Sequence, residues 1–443
     1  MAGSATRGGG RGRRKGQASA PATKPRTRSA AQSRPDPISL PKVSPVTAAL
    51  GRRRLVVLIA ITLYVFGLVM VASASSGELL LHDDGNQWAL LRKQAIFGAV
   101  GLTTMWVMMR VPLELVRRMA RPAVWTCAIL VVAVMVPGVG HQALGATRWI
   151  NLGFFQLQPS EPLKLSICVL LAAHLARVAP PRGVKEFLYS PGGAAMLLAG
   201  LLVGLQSDLG SGLIVGSTTI VLFMLAGTRW KLLWRTIGPA VALVVLSIVT
   251  EEYRRERFLA FLDPWASPYG DGFQLMQALL AIGSGGPFGV GLGHSVQKIT
   301  FLPEAHTDMI FAIVVEELGL FGVTLVLGAF VVLAAVGTRI AMRARTRFSA
   351  LLAAGITSMI VGQAAVNLAG VTGVMPLTGI PLPLVSYGGS SLIITLASLG
   401  LLANIATERR PSRSFVLPEP IAAARAGVDD LDDDSDDFDF EDD

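Results

Sequence analysis

The sequence is poor in charged residues and in cysteine. Asp, Glu, Lys and Arg make up 16% of the 443 residues, whereas a soluble domain has about 25%. Only two cysteines occur, Cys127 and Cys168, and both lie inside apolar runs. The chain therefore has neither a disulfide framework nor the cysteine spacing of a zinc site. Because 52% of the residues are AVILMFWYC, the composition argues against a water-soluble globule of this size.

The charge that is present is concentrated at the two ends. Residues 1–54 hold 13 Lys and Arg and one acid, whereas residues 425–443 hold 11 acids and one Arg. The first segment has almost no large apolar residue, so it cannot bury enough surface to fold. We predict a disordered basic tail over 1–54, which sets the topology or attracts anionic lipid or nucleic acid, and a disordered acidic tail over 411–443.

Ten apolar segments are long enough to be membrane-spanning helices, which need about 20 mainly apolar residues. They cover residues 55–75, 92–109, 122–137, 159–177, 191–206, 210–227, 232–250, 309–337, 349–369 and 386–406. A signal peptide begins within the first few residues of a chain, so the run that starts at 55 is interpreted as an uncleaved span. Residues 55–410 are thus predicted to form an all-α, polytopic membrane domain with ten transmembrane helices.

Lys and Arg in the short loops predict the orientation, because they favour the cytoplasmic side. With a cytoplasmic N-terminus, every inner loop is basic, and these loops contain Arg110, Arg117, Arg118, Arg121, Arg177, Arg182, Lys185, Arg229, Lys231, Arg235, Arg339, Arg343, Arg345 and Arg347. Both termini are therefore predicted to be cytoplasmic, and residues 251–308 to form a large extracytoplasmic loop. Residues 274–293 within it are apolar, but a crossing there would place the cluster at 339–347 outside. We predict an amphipathic or re-entrant element instead.

Polar residues gather at the outer ends of the predicted spans, where they are candidate functional positions. Before and in the fourth span these are Arg148, Trp149, Gln158, Ser160, Glu161 and Lys164. Glu161 and Lys164 are three residues apart and face each other, so this group is either a helix start with an internal ion pair or a site whose cations face an anionic headgroup. Asp208 precedes the sixth span and is expected to be a helix cap.

A third group meets the membrane before the eighth span and contains Lys298, Glu304, His306 and Asp308. Capping by Thr307 or Asp308 explains half of this signal, but not the crowding of Lys, Glu, His and Asp at one rim. Glu316 and Glu317 lie deeper in the same span, where they need partners or protonation.

The last group is the Gly- and Pro-rich stretch 370–391, where broken backbone at membrane depth suits the lining of a cavity. Its candidate residues are Ser386, Tyr387, Gly388 and Ser390. The hydroxyls and amides that open the tenth helix form either an anion-binding nest or an ordinary helix start.

Together these strings resemble one family of membrane proteins. FLDPWASPYGDGFQ, GVGLGHS, KITFLPEAHTDMIFAIVVEELG, GATRWINLG, QPSEPLKL, QSDLG and TGIPLPLVSYGGSS are similar to the SEDS family, the shape, elongation, division and sporulation proteins. The resemblance covers nearly all of residues 55–406. It implies a ten-span fold and peptidoglycan glycosyltransferase activity on lipid II, with the aspartate of the PEAHTD string, Asp308, as the essential catalytic residue.

The resemblance favours the division branch, the FtsW type, over the elongation branch, the RodA type. LPEAHTD, the HSVQK string and the long tails support this, whereas Ser207, Met309 and Leu384-Val385 depart from the commonest family pattern. It implies a multi-pass protein of the bacterial cytoplasmic membrane at the division septum. Implied partners are lipid II, the nascent lipid-linked glycan strand, a class B penicillin-binding transpeptidase and other divisome proteins, including FtsZ through the acidic tail; no nucleic acid is expected.

In the expected reaction a hydroxyl of the acceptor lipid II attacks the sugar of a lipid-diphosphate donor. Because diphosphate is already a good leaving group, the site needs only one base and a set of charges that binds the departing diphosphate, called here the clamp. Asp308 is the predicted base, held ionised by His306 or Lys298. The clamp comes from Arg148, Lys164 and the amides of 386–391, or from a divalent cation, Mg²⁺ or Mn²⁺, that bridges Asp308 and phosphate. The rival hypotheses are a lipid II flippase or transporter, which would use carboxylates such as Glu316 and Glu317, and a scaffold that recruits division proteins through its tails.

Overall fold

The computed structural model describes residues 45–78, 88–136, 140–143, 146–151, 153, 156–206, 208–250, 252–266, 270, 272–300, 302 and 305–408. The helices in these ranges are α1 (Pro45–Glu78), α2 (Ala89–Met108), α3 (Leu113–Ala133), α4 (Ser160–Leu175), α5 (Val184–Leu188), α6 (Pro191–Gln206), α7 (Leu209–Leu225), α8 (Trp230–Thr250), α9 (Glu252–Leu262), α10 (Phe273–Gly285), α11 (Gln297–Thr300), α12 (Ile310–Arg343), α13 (Arg347–Val371) and α14 (Gly389–Ala406). The strands are β1 (Gly140–Ala143), β2 (Ala146–Asn151) and β3 (Gln156–Leu157).

The long helices confirm the all-α, polytopic prediction. Ten of the described helices, namely α1 to α4, α6 to α8 and α12 to α14, coincide with the ten predicted spans. Four of these contain segments long and apolar enough to cross a membrane by length and composition alone, over Ala49–Ser75, Ile310–Arg343, Arg347–Val371 and Gly389–Ala406. The chain is a multi-pass membrane protein.

Several boundaries differ from the predicted ones. Helix α1 begins at Pro45, inside the segment predicted as a disordered tail, because proline suits a first helical turn and good helix formers follow it. Helix α3 begins at Leu113 rather than at residue 122, and its amphipathic first half contains the ion pairs of Glu114 with Arg117 and Arg118. The rest of the basic tail and the acidic tail lie outside the described residues.

Close packing between the helices depends on small residues. A side chain at Gly400 of α14 would overlap the backbone of Met105 in α2, and one at Gly101 of α2 would overlap Leu396. Since lipid offers no hydrophobic driving force between helices, such close approach gives the van der Waals contact that joins them. Helices α4, α7 and α13 pack against one another, and a side chain at Gly355 of α13 would meet Cys168 of α4 and Leu222 of α7.

As the sequence analysis predicted, the segment 274–293 is not an eleventh span. Helix α10 ends at Gly285 after 13 residues, a length of about 20 Å against the ~30 Å of the hydrocarbon core. The chain then turns and packs against α12 where that helix is interrupted at Gly319, whose φ is 56° and ψ is −140°.

The interruption of α12 is held together by backbone hydrogen bonds. Val290 N donates to the Glu316 carbonyl at 2.9 Å, Gly291 N to the Glu317 carbonyl at 3.0 Å, and Leu320 N to the Pro287 carbonyl at 3.0 Å. A helix break inside a membrane must find other partners for its freed polar groups. Gly289 of the GVGLG string and Gly319 of α12 therefore serve this backbone contact, because a side chain at either position would overlap the opposite segment.

Candidate active site

Asp308 lies in the turn just before α12, whose N-cap residue is Met309. Thr307 Oγ1 donates to Asp308 Oδ1 at 3.2 Å. A β-carbon placed at Gly379 would be 3.9 Å from Asp308 Oδ2. The carboxylate therefore lies beside the loop between α13 and α14.

The loop between α13 and α14, residues 372–388, is joined directly to the segment that carries Asp308. Tyr387 N donates to the His306 carbonyl at 2.9 Å, and the two rings meet edge to face with centroids 5.5 Å apart. Asn367 Nδ2 donates to the backbone carbonyls of Asp308 and Ile380, both at 2.8 Å. His306 and Tyr387 are thus brought together with Asp308, as the predicted site requires.

Lys164 is fixed by two polar side chains in the interior. Its Nζ lies 2.9 Å from Glu161 Oε1 and 2.7 Å from Gln363 Oε1, and the side chains of Lys164 and Glu161 are 2% and 3% exposed. The predicted internal ion pair is confirmed. Gln363 Nε2 donates in turn to the Pro381 carbonyl at 3.0 Å, so the pair is connected to the same loop. A contact of Lys164 with a headgroup stays a prediction.

Asp208 links the beginning of α7 to the beginning of α4. Its Oδ1 accepts from Ser211 N at 3.0 Å, which confirms the predicted cap. Its Oδ2 accepts from Ser160 Oγ at 3.2 Å and from Gln158 Nε2 at 3.4 Å. Gln158 N donates to Ser390 Oγ at 3.1 Å. The structure thus joins Gln158, Ser160, Asp208 and Ser390 in one hydrogen-bond network at the N-terminal ends of α4, α7 and α14.

Arg148 and Trp149 belong to a small antiparallel sheet, order β1-β2-β3, which the sequence analysis did not predict. Trp149 pairs with His141 in the register of β1 and β2. Arg148 is half-buried, and its Nε donates to the Gln206 carbonyl at 3.1 Å. The sheet therefore places the Arg148 guanidinium at the C-terminal end of α6, next to the start of α7.

The loop that enters α14 has a strained backbone. Leu384 has a φ of 68°, a conformation that branched and bulky residues rarely adopt, and a side chain at Gly67 of α1 would overlap its carbonyl. Ser386 Oγ accepts from Leu382 N at 2.8 Å, and the Ser386 carbonyl accepts from Gln94 Nε2 at 3.2 Å. Helix α14 follows Gly388, and no side chain of the described residues caps it, so its first amides point towards this loop.

Lys298 belongs to a separate cluster. Its Nζ lies 2.8 Å from Glu317 Oε1 and 3.0 Å from Ser73 Oγ. Glu317 lies nine positions after Asp308 in the chain, within α12, which begins at Ile310. Glu316 accepts from Ser295 Oγ and, at 3.0 Å, from Val296 N. The prediction that both glutamates have partners is confirmed. The Lys298 ammonium is paired with Glu317, and its support of Asp308 stays a prediction.

Three carboxamides of the site were missed by the sequence analysis, namely Gln94, Gln363 and Asn367. Each is buried in a helix and donates to a carbonyl of the loop that follows α13. The available signal was an amide inside an apolar span, which is costly unless it has a function or a partner. Glu304 lies outside the described residues.

The structure describes no group of three or more His, Cys, Asp and Glu side chains that could hold a metal ion. Asp308 is the carboxylate that lies against the loop of residues 372–388. One carboxylate with the oxygens of a substrate phosphate is a donor set that Mg²⁺ accepts. A divalent cation at Asp308 stays a prediction.

The helices and the polar network define a class of protein: a multi-pass membrane protein with a carboxylate site at the junction of α4, α7, α12 and α14. A family model described as cell cycle protein, which covers FtsW, RodA and SpoVE, matches residues 53–411. The chain belongs to the FtsW/RodA/SpoVE family, and the resemblance to the SEDS proteins is confirmed.

Individual relatives agree with this membership. A protein of Geobacter metallireducens named probable peptidoglycan glycosyltransferase FtsW is 40% identical over 361 residues, which is 80% of this chain and 94% of the relative. A solved chain described as part of a peptidoglycan synthase complex that coordinates polymerization and crosslinking has a TM-score of 0.65 and 32% identity over 79% of this chain and 96% of its own. The crystal structure of the rod shape determining protein RodA of Thermus thermophilus has a TM-score of 0.58 and 29% identity, over 81% of this chain and 97% of its own.

Proposed function

We propose that this protein is a peptidoglycan glycosyltransferase that polymerises lipid II into glycan strands, and that Asp308 is its general base. Family membership and the relatives named as glycosyltransferases support the reaction. The observation that carries the role of Asp308 is its position: a carboxylate just before a buried helix that lies against a Gly- and Pro-rich loop.

The reaction needs one proton transfer and one bond exchange. The 4-hydroxyl oxygen of the acceptor sugar bonds to the anomeric carbon of the lipid-linked donor, and Asp308 accepts the hydroxyl proton. The bond from that carbon to the diphosphate oxygen breaks with inversion, and the electron pair leaves with the lipid diphosphate. The edge-to-face contact of His306 with Tyr387 and the hydrogen bond from Thr307 hold the segment in place around the base.

The clamp for the departing diphosphate combines a cation with helix amides. Arg148 lies half-buried beside the starts of α4 and α7, and the uncapped N-terminus of α14 offers backbone donors with a favourable dipole. Lys164 contributes through its field, because its ammonium is already paired with Glu161. If a divalent cation takes part, Asp308 and the diphosphate oxygens would hold it, and it would supply Lewis-acid stabilisation of the leaving group.

The test is a gel assay of lipid II polymerisation by the purified protein. Asp308→Ala and Asp308→Asn are expected to lower the rate by about 10²–10⁴-fold, the usual contribution of a general base. Glu114→Gln is the matched control, because its carboxylate is exposed and makes only surface ion pairs. A folded Asp308 variant that polymerises at a near wild-type rate would refute the assignment. Loss of activity in chelator, restored by Mn²⁺ or Mg²⁺, would establish the cation.

We place the protein in the division branch and on the cytoplasmic membrane at the septum. Identity is 40% to a relative named FtsW, against 29% to the RodA structure. The similarity to a chain of a synthase complex supports a class B penicillin-binding transpeptidase as partner. Docking of the acidic tail on FtsZ is testable by binding of a 411–443 peptide. Transport is disfavoured, because the Glu316 and Glu317 carboxylates are already engaged by the Val296 amide and the Lys298 ammonium.

The site is proposed to face the extracytoplasmic side, because the basic loops lie at the opposite ends of the helices. Val374, in the loop after α13, and Tyr189, in a loop predicted to be cytoplasmic, are 73% and 92% exposed. We expect an impermeant maleimide to label Val374→Cys in intact spheroplasts and Tyr189→Cys only after permeabilisation. The native Cys127 and Cys168 are buried and give the background. The reverse labelling pattern would separate the site from its substrate and overturn the proposal.

A further inference from the structure

Asn367 connects two parts of the candidate site that are distant in sequence. It lies in α13, is 4% exposed, and donates from a single nitrogen, Nδ2, to the carbonyls of Asp308 and Ile380, at 2.8 Å each. One carbonyl belongs to the proposed base and the other to the loop against which the carboxylate of that base lies. Because the side chain is buried, it cannot itself reach a substrate in this structure.

The hydrogen bonds fix the direction of the amide. Two carbonyl oxygens face the same side-chain atom, so that atom must be the NH₂ group, which has two protons to donate. Asn367 Oδ1 is then left buried, with no hydrogen-bond partner in the part of the chain that the structure describes. An unpaired buried acceptor is destabilising. Stability alone does not explain this arrangement. A requirement for one side chain that donates to the carbonyls of both Asp308 and Ile380 does explain it.

We propose that Asn367 is a positioning residue for the reaction: its Nδ2 holds the backbone of Asp308 against the loop of residues 372–388 and thereby sets the place of the catalytic carboxylate. This inference rests on the proposed role of Asp308. Displacement of a catalytic group by about 1 Å can cost about 100-fold in rate. Loss of the two hydrogen bonds is therefore expected to lower kcat while leaving the affinity for lipid II nearly unchanged.

The chain contains a matched control for this chemistry. Asn404 of α14 also donates from Nδ2 to two backbone carbonyls, those of Met108 and Val111, at 3.0 Å and 2.8 Å. It lies in the last turn of α14, at the end away from Ser390. Variants at Asn404 therefore remove two hydrogen bonds of the same kind, and they leave the segment of Asp308 unchanged.

The experiment compares Asn367→Leu and the near-isosteric Asn367→Asp with Asn404→Leu and Asn404→Asp. In the purified full-length protein we expect kcat for lipid II polymerisation to fall by about 100-fold in the Asn367 variants and by less than about threefold in the Asn404 variants, with KM within about threefold of wild type in all. Amide hydrogen exchange in peptides covering residues 305–311 should accelerate only in the Asn367 variants.

Three results would overturn the inference: a near wild-type kcat in a folded Asn367 variant, an equal loss of kcat in the Asn404 variants, or a change in KM alone. Each is distinct from failure of the proposed function. That failure would appear as a wild-type protein that does not polymerise lipid II or an Asp308→Ala variant that does.

Discussion

Replacing Lys298 by Met is expected to destabilise the membrane domain strongly, and adding Glu317→Gln in the same chain is expected to restore most of the stability. The Lys298 ammonium lies 2.8 Å from Glu317 Oε1, and the two side chains are 2% and 0% exposed. Ser73 Oγ donates to the same carboxylate at 2.7 Å. Removal of one partner leaves an uncompensated charge in the interior, whereas removal of both leaves groups that can pack.

The magnitude follows from the cost of neutralising the charge that each single variant leaves unpaired. A buried charge without a partner is removed when the group gains or loses a proton. At pH 7 this costs about 3.7 kcal/mol for a typical carboxyl group and about 4.6 kcal/mol for a typical lysine amine. These values agree with the ~3–5 kcal/mol seen when a buried pair is broken. The double variant has no charge to neutralise, and Gln at position 317 still accepts from Ser73. We expect it within about 1.5 kcal/mol of wild type.

The assay has two arms. Free energies of unfolding are measured by denaturation in mixed micelles for the wild type, both single variants and the double variant, and polymerisation is measured on the same samples. If the pair is structural, the double variant regains both stability and activity. A double variant as unstable as the single ones would refute the electrostatic reasoning. A double variant that is stable but inactive would show that Lys298 acts on the base or the substrate, as the sequence analysis first suggested.

Two further substitutions test how the backbone of the site is held. Gly289→Ala should destabilise the protein by several kcal/mol, because its φ is 75° and the added β-carbon would overlap the Glu317 carbonyl. Gly293→Ala is the control: its φ is 81°, but no atom of the described residues lies within 4 Å of the added β-carbon, so it should cost only about 1–2 kcal/mol. Equal shifts of the melting temperature in the two variants would argue against the close contact. Asp208→Ala should cost about 1 kcal/mol for the lost cap, more for the lost hydrogen bonds of Ser160 and Gln158, and should lower polymerisation. Thr346→Ala, which removes the cap of α13, should cost about 1 kcal/mol without lowering activity.

The sequence predicted the features that depend on local pattern. Apolar length predicted the ten spans, since only a helix satisfies its own backbone in hydrocarbon. The spacing of three residues predicted the Glu161–Lys164 pair, because such residues face each other on any helix. The cap of α7 by Asp208 followed from residue type at a helix start in the same way.

Features that depend on distant parts of the chain could not be predicted in this way. The string around Gly319 resembles a continuous apolar helix, and its interruption depends on backbone donors from Val290 and Gly291. Lys298 seemed to belong with Asp308 because both lie in one short stretch, but its ammonium pairs with Glu317 of α12 and also donates to Ser73 of α1. The sheet of β1 to β3 has strands of two to six residues, which are too short to give a clear alternation.

The loop of residues 372–388 explains why the site draws on so many helices. Irregular backbone at membrane depth exposes carbonyls that lipid cannot satisfy. In this chain Gln94 of α2, together with Gln363 and Asn367 of α13, provides amide donors to three of them, at Ser386, Pro381 and Ile380. The same amides fix the loop relative to Asp308 and, through Gln363, relative to the Glu161–Lys164 pair. The need to solvate a broken backbone and the need to hold a base in place are therefore met by the same side chains, so loss of any one of them should affect stability and rate together.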